Sequence, residues 1–285
     1  MKKIILLLGA LLCATTLFGR SRIVLDSVVS PTLGRAIEVN VYLPDGYDIS
    51  SRYYPVLYLL HGLNGDHTDW PVKGGVKAVL DELIETGEAV PMVVVMPRAG
   101  DPDARHYQNG YFNMPGWAYE DFFFGELIPA VETKYHCGGV KQLRAISGLS
   151  MGGGASVVYC QRHPDMFSSC YAMSPWLDNK NNEVRTPADK NDKLHITGAS
   201  VCEHSALDFM DRADAATIEA LRGVKWFVDC GDDDFLLHLS MPFYQQMRDK
   251  AVKCEFRVRN GGHTWEYWHT ALRLSLPFAS QNFAK

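Results

Sequence analysis

Two stretches of this chain, "YPVLYLLHG" (Tyr54 to Gly62) and "MVVVMP" (Met92 to Pro97), carry almost unbroken apolar runs. Side chains on a strand point alternately to its two faces, so a strand with one wet face alternates in polarity. Unbroken apolar runs predict strands covered on both faces, the arrangement of a parallel sheet with helices above and below. "RAIEVNVYLP" (Arg35 to Pro44) does alternate and predicts an early, half-exposed strand. Further strand-like runs follow at "LRAISG", "SSCYAMS", "VKWFVDCG" and "CEFRVRN". Helix-period segments separate them at Val76 to Glu88, Tyr119 to Tyr135, Met151 to His163 and Met241 to Lys253, with a last one after Trp265. The alternation predicts an α/β fold with a mostly parallel central sheet and helices on both faces. With no internal repeat and no low-complexity linker, residues 22–285 are expected to form one domain. A chain of this size buries roughly 75% of its unfolded surface, enough for a core without disulfides or metals. One region departs from the pattern. Between Trp176 and Arg222 the chain is polar at first and helical later, which is long for a connection and predicts a cap beside the site.

The N-terminus reads as a separate element. Lys2 and Lys3 precede the apolar run Ile4 to Phe18, and small residues Gly19 and Ser21 follow. That order is a secretory signal peptide, expected to span residues 1–21, and the run is short for a membrane helix of ~20 apolar residues. Leu12 before Cys13 disfavours a lipid anchor there. Formal charge is -5, from 28 basic and 33 acidic residues. No Lys/Arg-rich run offers a footprint for nucleic acid, so neither nucleic acid nor a membrane surface is an expected partner. The six cysteines after Cys13 fall in no CxxC pair and no Cys/His metal spacing, so no metal or other cofactor is expected.

The chemistry centres on "ISGLSMGGGAS", where Ser150 stands between an apolar strand and a helix in the order Gly148-Leu149-Ser150-Met151-Gly152. A serine at such a turn is exposed on a strained backbone, and glycines two residues to either side give it clearance. The helix N-terminus that follows offers free N–H groups and a positive dipole end. GxSxG alone is a weak signal, since glycine-rich turns of this kind are common. A serine hydroxyl needs a base, and the base needs an orienting acid. "VDCGDDDFLL" supplies Asp232, Asp233 and Asp234 after one later strand, and "RNGGHTWEYW" supplies His263 after the next. All three loops lie at C-terminal strand ends, the face on which open α/β sheets build sites. The aspartates could instead form a solvated loop or a calcium site, but no further oxygen ligands accompany them at a calcium-loop spacing. His269 reads as structural. The loop His61-Gly62-Leu63-Asn64-Gly65 is expected to complete an oxyanion hole from the backbone N–H groups of Leu63 and Met151.

With these motifs in order, the chain resembles the esterase D-like branch of the α/β-hydrolases, which includes tributyrin, feruloyl and family 1 carbohydrate esterases. "VYLPDGYDISSRYYPVLYLLHGLNGDHTDW", "AYEDFFFGELIPAVETKY", "SGLSMGG", "CGDDDFL" and "GGHTWEYW" carry the resemblance across nearly all of the mature chain. It implies an α/β-hydrolase fold with a cap at about 176–222, and catalytic Ser150, Asp234 and His263. The acid is assigned to Asp234 because the family's acid directly precedes an aromatic or apolar pair, here Phe235-Leu236. The resemblance implies a serine carboxylesterase acting on short acyl, feruloyl or acetyl esters of plant polysaccharide. Acyl transfer of the mycolyltransferase type and short-chain esterase activity without sugar preference are the alternatives. S-Formylglutathione hydrolases usually carry a histidine before the elbow serine, where this chain has Gly148-Leu149, which argues against glutathione thioester chemistry. Trp70, Trp176, Phe235 and Trp265, and with them Trp117, are expected to border the substrate.

Overall fold

The computed structural model describes residues 20–100 and 110–284. The expected signal peptide lies outside the described residues except for its last two positions. Among the described residues the strands are β1 (Arg22–Ser30), β2 (Arg35–Leu43), β3 (Val56–Leu60), β4 (Val93–Pro97), the short hairpin β5 (Asn113–Met114) and β6 (Trp117–Ala118), β7 (Arg144–Leu149), β8 (Ser169–Met173), β9 (Lys225–Gly231) and β10 (Cys254–Arg259). The helices are α1 (Asp69–Val72), α2 (Val76–Glu85), α3 (Tyr119–Phe122), α4 (Ile128–Lys134), α5 (Ser150–Arg162), α6 (Lys193–Glu203), α7 (Ala206–Arg212), α8 (Ala215–Arg222), α9 (Leu237–Asp249) and α10 (Trp265–Gln281). Eight strands form one sheet in the order β1-β2-β4-β3-β7-β8-β9-β10, parallel from β4 to β10 and antiparallel at β1-β2 and β2-β4. Parallel neighbours need crossovers, and the helices supply them on both sides.

The apolar runs are buried as their polarity requires. Every residue from Val56 to Leu60 is fully buried, with Leu57 and Leu59 in the core under α2 and α10. Val56, Tyr58 and Leu60 face the opposite core, together with Val157 and Tyr159 of α5. Two apolar layers on one strand explain why its sequence cannot alternate.

Several boundaries and one exposure differ from the sequence expectation, each for a physical reason. β2 is not half-exposed: β1 pairs along its whole length, and Val39, Val41, Tyr42 and Leu43 are buried. Its polar Asn40 is buried as well, with its amide donating to the His67 carbonyl at 2.9 Å. Helix α2 stops at Glu85 because Gly87 turns the chain into the left-handed region (φ 79°). The segment expected as one helix from Tyr119 contains a π-helical turn, Phe123–Leu127, between α3 and α4. Helix α9 begins at Leu237, earlier than expected, directly behind the acidic loop.

The insertion after β8 holds α6, α7 and α8, and their N-caps Asp192, Ser205 and Asp214 accept from the N–H groups of Leu194, Asp208 and Thr217. It is docked rather than free-standing. Gln161 of α5 donates to the Ala206 carbonyl at 3.0 Å, the Ala206 N–H to the Leu177 carbonyl at 3.0 Å, and the buried Ser205 hydroxyl to Asp178 at 2.7 Å. Among the described residues no helix is long and apolar enough to cross a membrane.

Candidate active site

Ser150 is the first residue of α5 and is 6% exposed. Its φ of 52° is one that a non-glycine residue rarely holds, at a cost of roughly 1–3 kcal/mol, and neighbouring backbone imposes it. A Cβ at Gly148 would lie 2.5 Å from the Gly152 carbonyl carbon. One at Gly152 would lie 2.5 Å from the His61 carbonyl oxygen. Strand β7, helix α5 and the β3 loop therefore meet at van der Waals limits around the serine. Gly153 and Gly154 serve a different contact. A Cβ at Gly153 would reach to 2.8 Å of the Met173 carbonyl oxygen, and one at Gly154 would strike the Trp176 carbonyl. They let α5 lie against the chain leaving β8, where the Trp176 N–H also donates to the Ser150 carbonyl at 2.9 Å.

His263 reaches Ser150 from the loop after β10. Its Nε2 lies 2.9 Å from Ser150 Oγ, and its Nδ1 lies 3.0 and 2.9 Å from Asp234 Oδ1 and Oδ2. The acid and histidine loops are laced together by main-chain bonds, Asp232 N–H to the Arg259 carbonyl and Asp233 N–H to the Gly261 carbonyl, both 3.0 Å. The Asp232 carboxylate accepts from the Gly261 N–H at 2.9 Å. Gly261 sits at φ 134°, and a Cβ on Gly231 would collide with its backbone, so both glycines are dictated by this contact. Of the three consecutive aspartates, Asp232 and Asp233 are exposed and Asp234 is buried against the imidazole. Among the described residues no group of three or more His, Cys, Asp or Glu is placed to hold a metal ion.

The electrostatics of Asp234 follow from its partners. Burial penalises its charged form, yet the hydrogen bond and charge of His263, with bonds from the Leu236 N–H (2.9 Å) and the Ser174 hydroxyl, outweigh it. The carboxyl is held below its ordinary value, so it is ionised at neutral pH. The imidazole is fixed from both sides as well. Phe235 lies 4.7 Å from it between ring centroids, and Trp268 stands edge-on at 4.8 Å. Trp268 is itself anchored by Nε1–H donation to the buried Ser174 hydroxyl at 3.1 Å. Sequence reasoning overlooks Ser174, whose φ of 45° at the end of β8 is visible only in three dimensions.

Leu63 borders the cleft, and Met151 follows Ser150 in the first turn of α5, whose start carries no side-chain cap. N–H groups of a first helical turn have no intrahelical acceptor, which leaves the Met151 N–H without a partner inside α5, while Leu63 lies in the loop after β3 on the border of the same cleft. The loop holding Leu63 is secured by His61. Its Nδ1–H donates to the Gly62 carbonyl at 2.8 Å while its Nε2 accepts from the Ala99 N–H at 3.0 Å. Burial lowers the His61 pKa, consistent with this neutral, structural tautomer. His269 is structural too, bonded to the Gly74 carbonyl at 2.7 Å.

The cleft over Ser150 encloses about 380 Å³, with Phe235, Trp265, Trp268 and Val184 among its walls. Of the expected substrate contacts, Phe235 and Trp265 line it, and Trp70 and Trp176 do not. Both are buried in the core. Trp70 donates to the Leu60 carbonyl at 3.0 Å and stands edge-on beneath Trp265, and Trp176 donates to Asn179 at 3.1 Å. Trp117 is likewise buried and bonded to the Ala99 carbonyl. Their indole N–H groups are consumed by backbone and neighbours, which makes them scaffold rather than walls.

Residues 30–279 match the family described as putative esterase. An endo-1,4-beta-xylanase/feruloyl esterase of Xylanibacter ruminicola is 36% identical over 142 residues, covering 48% of this chain and 19% of that protein. The chain thus spans about a fifth of that relative. An acetyl esterase of Caldicellulosiruptor saccharolyticus is 21% identical over 243 residues, covering 78% of this chain and 82% of the other. Among solved structures, a ferulic acid esterase superposes with a TM-score of 0.87 at 46% identity, covering 93% of this chain and all of that one.

Proposed function

This chain belongs to the putative esterase family, with an α/β-hydrolase fold, and from that premise we propose that it is an exported serine carboxylesterase that releases feruloyl or acetyl groups from plant polysaccharide. The observation that carries the reading is the relay Asp234–His263–Ser150, with every link at hydrogen-bond distance, Ser150 and His263 lining the cleft and Asp234 buried behind them. In the first step His263 Nε2 takes the Ser150 proton as Oγ attacks the ester carbonyl carbon. The carbonyl oxygen becomes the oxyanion and faces the N–H groups of Leu63 and Met151. Collapse breaks the bond to the alcohol oxygen, and His263 returns its proton to the leaving alcohol. Water then attacks the acyl-serine by the same route and releases the acid, while Asp234 holds the imidazolium in place. The names of the relatives support the acyl groups, and Lys2, Lys3 and the following apolar run support export.

The direct test is the mature protein with methyl and nitrophenyl esters beside acetylated and feruloylated xylo-oligosaccharides, products being scored for free acid against acyl transfer. Release of free acid supports the reading. Transfer to a sugar hydroxyl in preference to water overturns it in favour of an acyltransferase, and activity on nitrophenyl esters alone overturns the polysaccharide assignment.

Two variants probe the machinery. Asp234→Asn is expected to lower kcat about 10³–10⁴-fold, because an amide presents an N–H where the imidazole needs an acceptor and so selects the wrong tautomer. In the unmodified protein the acid limb of kcat/KM should fall tenfold per pH unit, the slope of a single proton, since Asp234 remains ionised there. A slope of two would show that the carboxyl titrates as well. Leu63→Pro deletes one backbone donor and is expected to lower kcat about 10²–10³-fold with substrate affinity largely kept. A loss under threefold in a protein of unchanged melting temperature would remove Leu63 from the oxyanion site.

A further inference from the structure

The cleft is two-sided in a way the relay does not explain. Val184 and the half-exposed Phe235 give apolar walls, whereas Asn64, Asp69 and Lys73, which carry an amide, a carboxylate and an ammonium, line the same cavity. Lys73 Nζ lies 2.8 Å from Asp69 Oδ1 and 5.7 Å from the centroid of the Trp265 ring. Resting on the ester-hydrolase reading above, we propose that Asn64, Asp69, Lys73 and the Trp265 ring form the subsite for the alcohol half of the ester, and that they read it as a neutral sugar.

Three observations converge on this. The leaving alcohol receives its proton from His263 Nε2, so it lies on the histidine side of Ser150. Trp265 borders that side, two residues beyond His263, its ring packing at 5.4 Å on Trp268, which abuts the imidazole. Phe235 abuts the imidazole too, and the polar rim beside Trp265 is what separates the two walls. The second observation is chemical. A sugar hydroxyl both donates and accepts, which suits a carboxylate acceptor, an ammonium donor and an amide that is both. An apolar acyl group laid there would take water from the Asp69–Lys73 pair and the Asn64 amide and offer no hydrogen bond in return, at about 1–3 kcal/mol for each group desolvated. The third is charge: Lys73 is already matched by Asp69, so the rim is neutral in sum and offers no net attraction to an anionic alcohol.

An i,i+4 pair on a helix is ordinarily a solvated surface feature worth a few tenths of a kcal/mol. Here the Asp69 side chain is only 10% exposed and borders the cleft together with Lys73, which an ordinary surface pair would not do.

The test compares two esters of the same acid, ferulic or acetic, one with methanol and one with a xylo-oligosaccharide or arabinoxylo-oligosaccharide. Lys73→Met is the first variant, since half of its side chain is exposed and its loss leaves the core untouched. Asp69→Asn and Trp265→Leu follow. Each is expected to lower the ratio of kcat/KM on the sugar ester to that on the methyl ester about tenfold, chiefly through a higher KM for the sugar ester. An equal loss on both esters, or no loss on either, overturns the subsite. Failure of the unmodified protein to hydrolyse either ester of either acid overturns the esterase reading itself, a result distinct from active protein with an unshifted ratio.

Discussion

Ser150→Ala is expected to lower kcat on every ester by at least about 10⁵-fold while the protein keeps its fold and still binds substrate. The size of the loss follows from the chemistry. Without Oγ there is no acyl-enzyme, and His263 can only assist water directly, in a position arranged for a different nucleophile. The residual rate reflects the oxyanion donors and substrate positioning alone. The relay acts as a unit, so adding His263→Ala to Ser150→Ala should cost little more, and a further loss above tenfold would mean that the imidazole has work independent of the serine. Alanine also relieves nothing at φ 52°, since it too carries a Cβ, so the melting temperature should change little. Ser150→Gly should raise stability by up to about 1 kcal/mol through the released backbone, an increase visible in denaturant titration. Retention of half the activity in Ser150→Ala would remove Ser150 from the mechanism.

Arg259→Leu is expected to destabilise the fold by about 3–5 kcal/mol. Its partner, Asp229 on β9, is fully buried. That carboxylate accepts from the Tyr171 hydroxyl at 2.7 Å, from the Tyr267 hydroxyl, and from Arg259 through Nε (3.1 and 3.2 Å) and Nη2 (2.9 Å). Arg259 is also stacked over the Tyr267 ring at 4.1 Å. Removing the guanidinium leaves a charge in the core with two hydroxyls and no cation. The opposite change, Asp229→Asn, should cost less, because Arg259 is a quarter exposed and water can solvate it. For a domain of this size the larger effect corresponds to a melting temperature lower by about 6–20 °C. Equal costs for the two variants, or a loss below 1 kcal/mol for Arg259→Leu, would contradict a charge held in place by its partner. The same network fixes the end of β10, from which Gly261 and His263 depart, so a stability defect and a loss of turnover should appear together.

Much of this molecule is legible along the chain because local chemistry dictates it. Val56 to Leu60 and Val93 to Pro97 had to be covered on both faces, since every side chain on both parities is apolar. Ser150 had to stand on a turn flanked by glycine, because a Cβ at Gly148 or Gly152 would strike backbone, and glycine at 261 ahead of His263 answers to a φ of 134°. The order of serine, acid and histidine over three strand ends then brings the loops to one face of a parallel sheet.

Other features depend on neighbours distant in sequence. Asn40 reads as a solvent-facing position until β1 and the His67 carbonyl close over it. Trp70 and Trp265 are equally aromatic in sequence, yet one donates into the core and the other faces the cleft. The polar rim of Asn64, Asp69 and Lys73 has no motif, because it gathers side chains from a loop and a short helix around a tryptophan that follows β10. The layered sheet, Ser150 and His263 are written along the chain, since they rest on backbone geometry and strand polarity. Asp234, by contrast, is singled out from three consecutive aspartates by the family resemblance and, in the structure, by its burial against the imidazole. Which aromatic rings became walls, and that Trp265 came to lie beside the Asp69–Lys73 pair, came from packing in three dimensions, where burial assigns each side chain to core or to site.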